Sequence, residues 1–146
     1  MTEPVPRVSG DDSTRVPVVL FACVHNSGRS VAAQLLAAHY AGPRLAVRSA
    51  GSEPADGVNA QVAAVLTERG LDPCGHIPRL LDGQSVRAAD IVITMGCGET
   101  CPVFPGTRYE DWNVTDPENR DRDTVRAIID DIDGRVRALV CRLSRT

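Results

Sequence analysis

The fold turns on residues 18–36, Val18-Val19-Leu20-Phe21-Ala22-Cys23-Val24-His25-Asn26-Ser27-Gly28-Arg29-Ser30-Val31-Ala32-Ala33-Gln34-Leu35-Leu36. The stretch opens with an unbroken apolar run, the pattern of a strand buried on both faces of a parallel sheet. From Arg29 onward a helical period takes over. Val31, Leu35 and His39 fall four apart, with Ala32 and Leu36 beside them, and this is the face expected to be buried. A strand that turns sharply into a helix aims backbone N–H groups at one spot, with the helix dipole behind them, and so makes an anion site. Here the turn starts with a thiol, Cys23, and ends with a guanidinium, Arg29, five residues intervening. A helix N-terminus and an arginine both favour thiolate, the nucleophilic form of cysteine. The guanidinium fork suits a tetrahedral oxyanion. The segment therefore reads as a nucleophile inside an oxyanion cradle formed by Val24, His25, Asn26, Ser27, Gly28, Arg29 and Ser30. A cysteine ending a core strand can also be a small buried hydrophobe, and Asn-Ser-Gly an ordinary turn. The strand before it, and the helix and serine after the arginine, favour the cradle.

Outward from this turn, strands and helices alternate. A strand is expected at 17–23 and a helix at 29–40, ended by Gly42-Pro43. A second strand at 45–50 closes on Gly51, and a second helix at 58–69, with Val58, Val62, Val65 and Leu66 on one stripe, stops at Gly70. Residues 71–78 read as a loop and 82–88 as a short helix, with Leu80 and Leu81 packing nearby. Ile91-Val92-Ile93-Thr94-Met95 is a β-branched third strand. After a loop rich in Gly, Cys and Pro at 96–106, a short fourth strand is expected at 108–112 and a loop at 114–122. The last helix, 123–143, carries Val125, Ile128, Ile129, Ile132, Val136, Leu139, Val140 and Leu143 on one face. The pattern is that of an α/β domain: a four-stranded parallel sheet with helices on both faces. Ligands of such sheets bind beyond the carboxyl ends of the strands. The loops after Cys23 and Met95 should therefore meet at one edge and bring Cys97 and Cys101 toward Cys23.

Composition narrows the function. A chain of 146 residues supports one domain, expected at 16–146, behind a polar, flexible lead-in at 1–15. A net charge of -3 gives no basic footprint and argues against nucleic-acid binding. No stretch approaches the roughly 20 apolar residues of a membrane span. The lead-in has no apolar signal region, so a cytoplasmic chain is expected. Five cysteines, an odd number without a signal, do not form a disulfide framework. Cys97 and Cys101 lie four apart in a glycine-bearing loop, can close a small disulfide, and could attack a group carried on Cys23. A zinc site from Cys74, His76, Cys97 and Cys101 competes with that reading, but the spacings do not match a C-x2-C knuckle and Cys23 is left without a role. Asp116, before Pro117, could protonate a leaving oxygen from the loop after strand four, or simply open a turn.

Cys23 with Arg29-Ser30, Ser49-Ala50-Gly51 and Asp116-Pro117 together resemble the low-molecular-weight protein tyrosine phosphatase fold. The run 94–106, with its paired cysteines and Cys101-Pro102, followed by Tyr109-Glu110-Asp111-Trp112, resembles the arsenate reductase branch of that fold, of the thioredoxin-coupled, three-cysteine type. The resemblance covers about 18–143. It implies that Cys23 attacks arsenate while Arg29 and the amides of 24–30 hold the oxygens, Asn26 shapes the loop and Ser30 stabilises the thiolate. Asp116 would protonate the departing oxygen. Cys97 would then attack Cys23, releasing arsenite, and Cys101 would carry the disulfide outward to reduced thioredoxin. A monomer with no bound cofactor and no metal is expected. Glu118-Asn119 stand where phosphatases of this fold carry adjacent tyrosines, and Gln34 and Arg79 where some relatives hold a potassium ion. Two alternatives stay open: a reductase of the same fold recycled by mycothiol or another small thiol, and a phosphatase. Cys74 and Cys141 match no role in the family; Cys141 is expected to pack on the apolar side of the last helix, and Cys74 to be a loop thiol.

Overall fold

A computed structural model describes residues 16–96 and 104–144 of the chain. At its centre is strand β1 (Val18–Cys23), flanked by β2 (Ala46–Gly51) and β3 (Ile91–Thr94), with β4 (Tyr109–Asp111) outside β3. Every neighbouring pair is parallel, in the order β2-β1-β3-β4. Successive side chains of β1 point to opposite faces. Val19, Phe21 and Cys23 enter the larger core, and Leu20 and Ala22 the smaller one. Both faces are covered, which is why the run is apolar throughout.

Helices α1 (Arg29–Ala41), α2 (Ala60–Glu68) and α4 (Arg122–Leu143) build the larger core, and α3 (Gly83–Ala88) covers the other face. The expected sheet and two-sided helical cover are therefore present, unevenly shared between the faces. On α4 the apolar stripe from Val125 to Val140 is buried as its period requires, and Leu143 packs at its end. Asn59 caps α2 by accepting from the N–H groups of Gln61 and Val62, so that helix begins at Ala60 rather than at Val58. Phe104 and Tyr109 pack against the smaller core, and Phe21 meets Trp112 at a centroid distance of 5.9 Å.

Three expectations fail in detail. The buried face of α1 is Val31, Ala32, Ala33, Leu36, Ala37 and Ala41, whereas Leu35 is half-buried and His39 exposed. The helix is packed between the sheet and α4, and small alanines permit that close approach. Leu80 is exposed while Leu81 is buried, because the chain runs beside the end of β2 as a parallel bridge opposite Gly51 and its side chains alternate in and out. Cys141 is exposed, since Leu139 and Val140 take the inward positions on that turn of α4. Cys74 is an exposed loop thiol.

The register fixes the working edge. Cys23 pairs with Gly51 at the carboxyl ends of β1 and β2. The N–H of Met95 donates to Ala22 and that of Trp112 to Thr94. The segments that follow β1, β2, β3 and β4 thus all leave from one end of the sheet. No helix among the described residues is long and apolar enough to cross a membrane.

Candidate active site

Between β1 and α1 the chain wraps through residues 24–28. The carbonyls of Cys23, Val24, His25 and Ser27 accept hydrogen bonds from the N–H groups of Ser52, Glu53, Ala55 and Asn59, at 2.7–3.1 Å. In a trans peptide the next N–H points opposite to the carbonyl. Hooking those carbonyls onto the segment after β2 therefore turns the amides of Val24, His25, Asn26 and Gly28 to the inner side of the loop. Helix α1 starts at once, with Gly28 as its N-cap and no side-chain cap. Its first N–H groups add to the inward set. Gly51 makes the wrap possible: a Cβ there would stand 2.6 Å from the Val24 carbonyl oxygen and 2.8 Å from the Asn26 nitrogen.

A polar chain runs through the loop. Asn26 is fully buried, in the left-handed region at φ 50°, where asparagine is tolerated better than most residues. Its Oδ1 accepts from the Arg79 N–H at 3.0 Å and from His76 Nε2 at 3.2 Å. Its Nδ2 donates to Ser30 Oγ at 2.8 Å. The Ser30 hydroxyl, which accepts that bond, lies 2.9 Å from Cys23 Sγ in a hydrogen bond that either atom can donate. The buried thiol thus has a hydroxyl partner at hydrogen-bond distance. Burial disfavours the charged form of His76 and lowers its pKa; the bond to Asn26 opposes the shift and Arg79 adds to it. Gln34, beside this network, accepts the Ser49 hydroxyl.

Above the thiol opens a cavity of about 220 Å³, lined from the loop by Cys23, His25, Ser27, Gly28 and Arg29, and from the banks by Ala55, Gly57, Asn59, Asp116, Pro117 and Glu118. Arg29 is 7% exposed; its Nη1 donates to the Val114 carbonyl at 3.3 Å and its Nη2 lies 3.7 Å from Asp116 Oδ2. The half-exposed Asp116 accepts the Glu118 N–H at 3.0 Å, which fixes the turn. Gly28 abuts Pro117, whose Cγ would lie 2.9 Å from a Cβ, so the glycine lets the acid-bearing segment close over the loop. Gly96, at φ 83°, fits against Arg29 so tightly that a Cβ would fall 2.0 Å from Nη1.

Cys23, Arg29, Asp116 and the loop 24–30 thus surround one cavity, although they come from segments nearly ninety residues apart. Cys97 and Cys101 lie outside the described residues. Their segment is bracketed by Gly96, against Arg29, and by Phe104, whose N–H donates to the Tyr109 hydroxyl. Tyr109-Glu110-Asp111-Trp112 turns out to be architectural: Glu110 pairs with Arg142, Asp111 accepts the Thr94 hydroxyl, and Trp112 is buried. His25 Nδ1 donates to the Glu53 carbonyl at 3.0 Å, and its Nε2 lies 3.9 Å from Glu118 Oε1. Among the described residues no group of three or more His, Cys, Asp or Glu side chains could hold a metal ion. The sequence reading overlooked Ala55, Gly57 and Asn59, the structural use of His76, and the fits of Gly96 and Pro117. Of these only Asn59 carried a local signal, as an asparagine placed before an apolar helical period.

Comparison with known proteins adds family context. The family model "Low molecular weight phosphotyrosine protein phosphatase" matches residues 18–146. A thioredoxin-dependent arsenate reductase of Corynebacterium glutamicum is 46% identical, with a TM-score of 0.78, over 90% of this chain and 63% of that one. An arsenate reductase of Archaeoglobus fulgidus is 34% identical, with a TM-score of 0.74, over 84% and 98% of the two chains. A glutaredoxin arsenate reductase of Synechocystis is 30% identical over 86% of this chain and 98% of that protein.

Proposed function

We infer that this chain, which belongs to the low molecular weight phosphotyrosine protein phosphatase family, is an arsenate reductase that draws its electrons from thioredoxin through Cys23, Cys97 and Cys101. The observation that carries the reading is the fit of Gly96 against Arg29: the residue before Cys97 touches the oxyanion cradle itself. A second thiol one residue away is what separates reduction from simple hydrolysis.

In this mechanism arsenate lies on the inward amides of 24–30 with Arg29 on its oxygens. The Cys23 thiolate bonds to arsenic(V) as one oxygen leaves as water, its proton supplied by Asp116. The Cys97 thiolate then attacks Cys23 Sγ. The sulfur–arsenic bond breaks with its electron pair on arsenic, which departs as arsenite, and a Cys23–Cys97 disulfide remains. Cys101 attacks Cys97 and frees Cys23, and a dithiol donor reduces the Cys97–Cys101 disulfide. One arsenate and two donor thiols thus give one arsenite, one donor disulfide and water. The Corynebacterium relative supports thioredoxin as the donor; the Synechocystis relative favours a glutaredoxin-linked or small-thiol donor as the second reading. The same reading carries a cytoplasmic, monomeric enzyme with no bound cofactor.

The deciding experiment is arsenate-dependent NADPH oxidation with thioredoxin and its reductase, run on the wild type and on each Cys→Ser variant. Cys23→Ser should be inert, and Cys101→Ser should release one arsenite per enzyme and stop. Full turnover by Cys101→Ser would sink the relay. Activity surviving replacement of both Cys97 and Cys101 would favour the small-thiol donor. A phosphatase, for which Cys23, Arg29 and Asp116 suffice, would instead hydrolyse aryl phosphates efficiently and ignore both substitutions.

A further inference from the structure

We propose that the outer edge of β2 carries a second oxyanion site, separate from the cavity above Cys23, in which Arg48 and Arg79 hold a small inorganic dianion such as phosphate or arsenate. The proposal stands independently of what Cys23 and its relay do.

A cavity of about 140 Å³ lies along β2, the edge strand of the sheet, and shares no lining residue with the one above Cys23. Gln34, Val47, Arg48, Ser49, His76 and Arg79 form most of its wall. The N–H of Ala46 donates to Pro17 on the β1 side, whereas Gly51 exchanges bonds with Arg79 and Leu81 on the other side. Peptide groups alternate in direction along a strand, so Val47 and Ser49 face outward as Gly51 does. The bridge from 79–81 covers that edge at Gly51, and no strand pairs with it at 47 or 49 among the described residues.

The charges on the wall are all of one sign. Arg48 and Arg79 are exposed, and among the described residues neither guanidinium donates a hydrogen bond or meets a carboxylate. Of the acids on flanking segments, Asp82 caps α3 through the Ser85 N–H, and Asp72 lines a neighbouring cavity and accepts the Cys74 N–H. Gln34 turns its carbonyl oxygen to the Ser49 hydroxyl, which leaves its amide NH2 as a further donor. Two guanidinium groups at one cavity repel each other and exclude a cation. A dianion between them removes the repulsion and accepts from their planar forks, from Gln34 and from the edge N–H groups. Hydrogen phosphate and hydrogen arsenate also carry a hydroxyl, which answers the outward carbonyls beside those N–H groups. One water takes about 30 Å³, so the cavity holds a four-oxygen anion with part of its shell. The site lies directly behind the catalytic loop, because the Arg79 N–H and His76 Nε2 both donate to Asn26 Oδ1. An anion there braces the segment that holds Asn26.

The test is an NMR titration of the isotope-labelled chain with inorganic phosphate at slightly alkaline pH, with ionic strength held constant by sodium chloride. Wild type, Arg48→Ala, Arg79→Ala and Arg48→Lys are compared. In the wild type the amides of 47–49 and 79 should shift as phosphate is added. Each alanine substitution should weaken that edge isotherm roughly tenfold. The response of 24–30 should persist in both, which also reports that the variants are folded. Arg48→Lys, which keeps the charge and loses the fork, should fall between. An edge that ignores phosphate overturns the proposal, as does an edge response that both alanine variants leave unchanged. Glucose 6-phosphate separates a free oxyanion from an ester headgroup: tighter binding of the ester would overturn the assignment to a small inorganic ion.

Discussion

Asn26 shows how much of the site is settled one residue at a time. Its left-handed backbone and its three side-chain bonds fix the loop, and Ser30 passes that order to the thiol. A hydrogen bond to a charged group contributes about 1.5–3 kcal/mol. Ser30→Ala should therefore slow alkylation of Cys23 by iodoacetamide near neutral pH roughly 10–100-fold. Gly51→Ala would drive a methyl group into the loop backbone, where neither partner is a flexible side-chain end. A loss of about 1–3 kcal/mol in urea unfolding is expected, with weakened phosphate inhibition. An unchanged midpoint would mean that the wrap is looser than it looks. Asp116 drew its proposed role only from the family resemblance, whereas Cys23 and Arg29 were legible as candidates because their types and spacing carry chemistry. Gly96 was not, since a glycine's need to be small is written in its neighbours, and Arg29 is remote in sequence.

Among the elements, those with one clear period were the most readable. Helix α4 presents a single apolar stripe, and β1 an apolar run that only double burial explains. The apolar face of α1 was misplaced because alanine satisfies helix and core alike and gives little contrast between faces. The bridge beside Gly51 was missed because two residues opposite a strand end leave no periodic trace. Capping belongs to this scale as well. Asn59→Ala should cost about 1 kcal/mol, seen as a lower urea midpoint, while the Asn59 N–H to Ser27 survives because it is backbone.

For the molecule as a whole, pH dependence follows from groups whose proton affinity differs between folded and unfolded states. His76 is lowered from 6.5 by burial. As pH falls through 6.5 the unfolded chain takes up a proton that the folded one refuses, so stability declines until the lower folded value is passed. Thermal midpoints from pH 7.5 to 5 should show that decline, and His76→Gln should flatten it. An equal slope in both proteins would remove His76 as the cause. Glu68, held down by its bond to Arg126, Asp82 by the Ser85 N–H, and Asp121 by Thr124 act in the acid range. Their stabilisation is present above about pH 4 and is lost as pH falls through their lower folded values. At this scale the sheet edge that gathers the site was readable from alternation alone. The meeting of Gly28 with Pro117 was not, because nothing local in either segment reports the other.

Helix α1 begins without a side-chain cap, and this has a consequence for turnover. On the proposed reading the substrate anion supplies the helix's missing cap: an arsenate or phosphate dianion would complete the first turn and answer the positive end of its dipole. Inorganic phosphate should accordingly raise the melting temperature and slow amide exchange in the first turn of α1 before it does so elsewhere. Arsenite, uncharged at neutral pH and no longer tetrahedral, can do neither. The helix that welcomes the reactant loses its hold on the product the moment arsenic is reduced, so release is built into the chemistry itself.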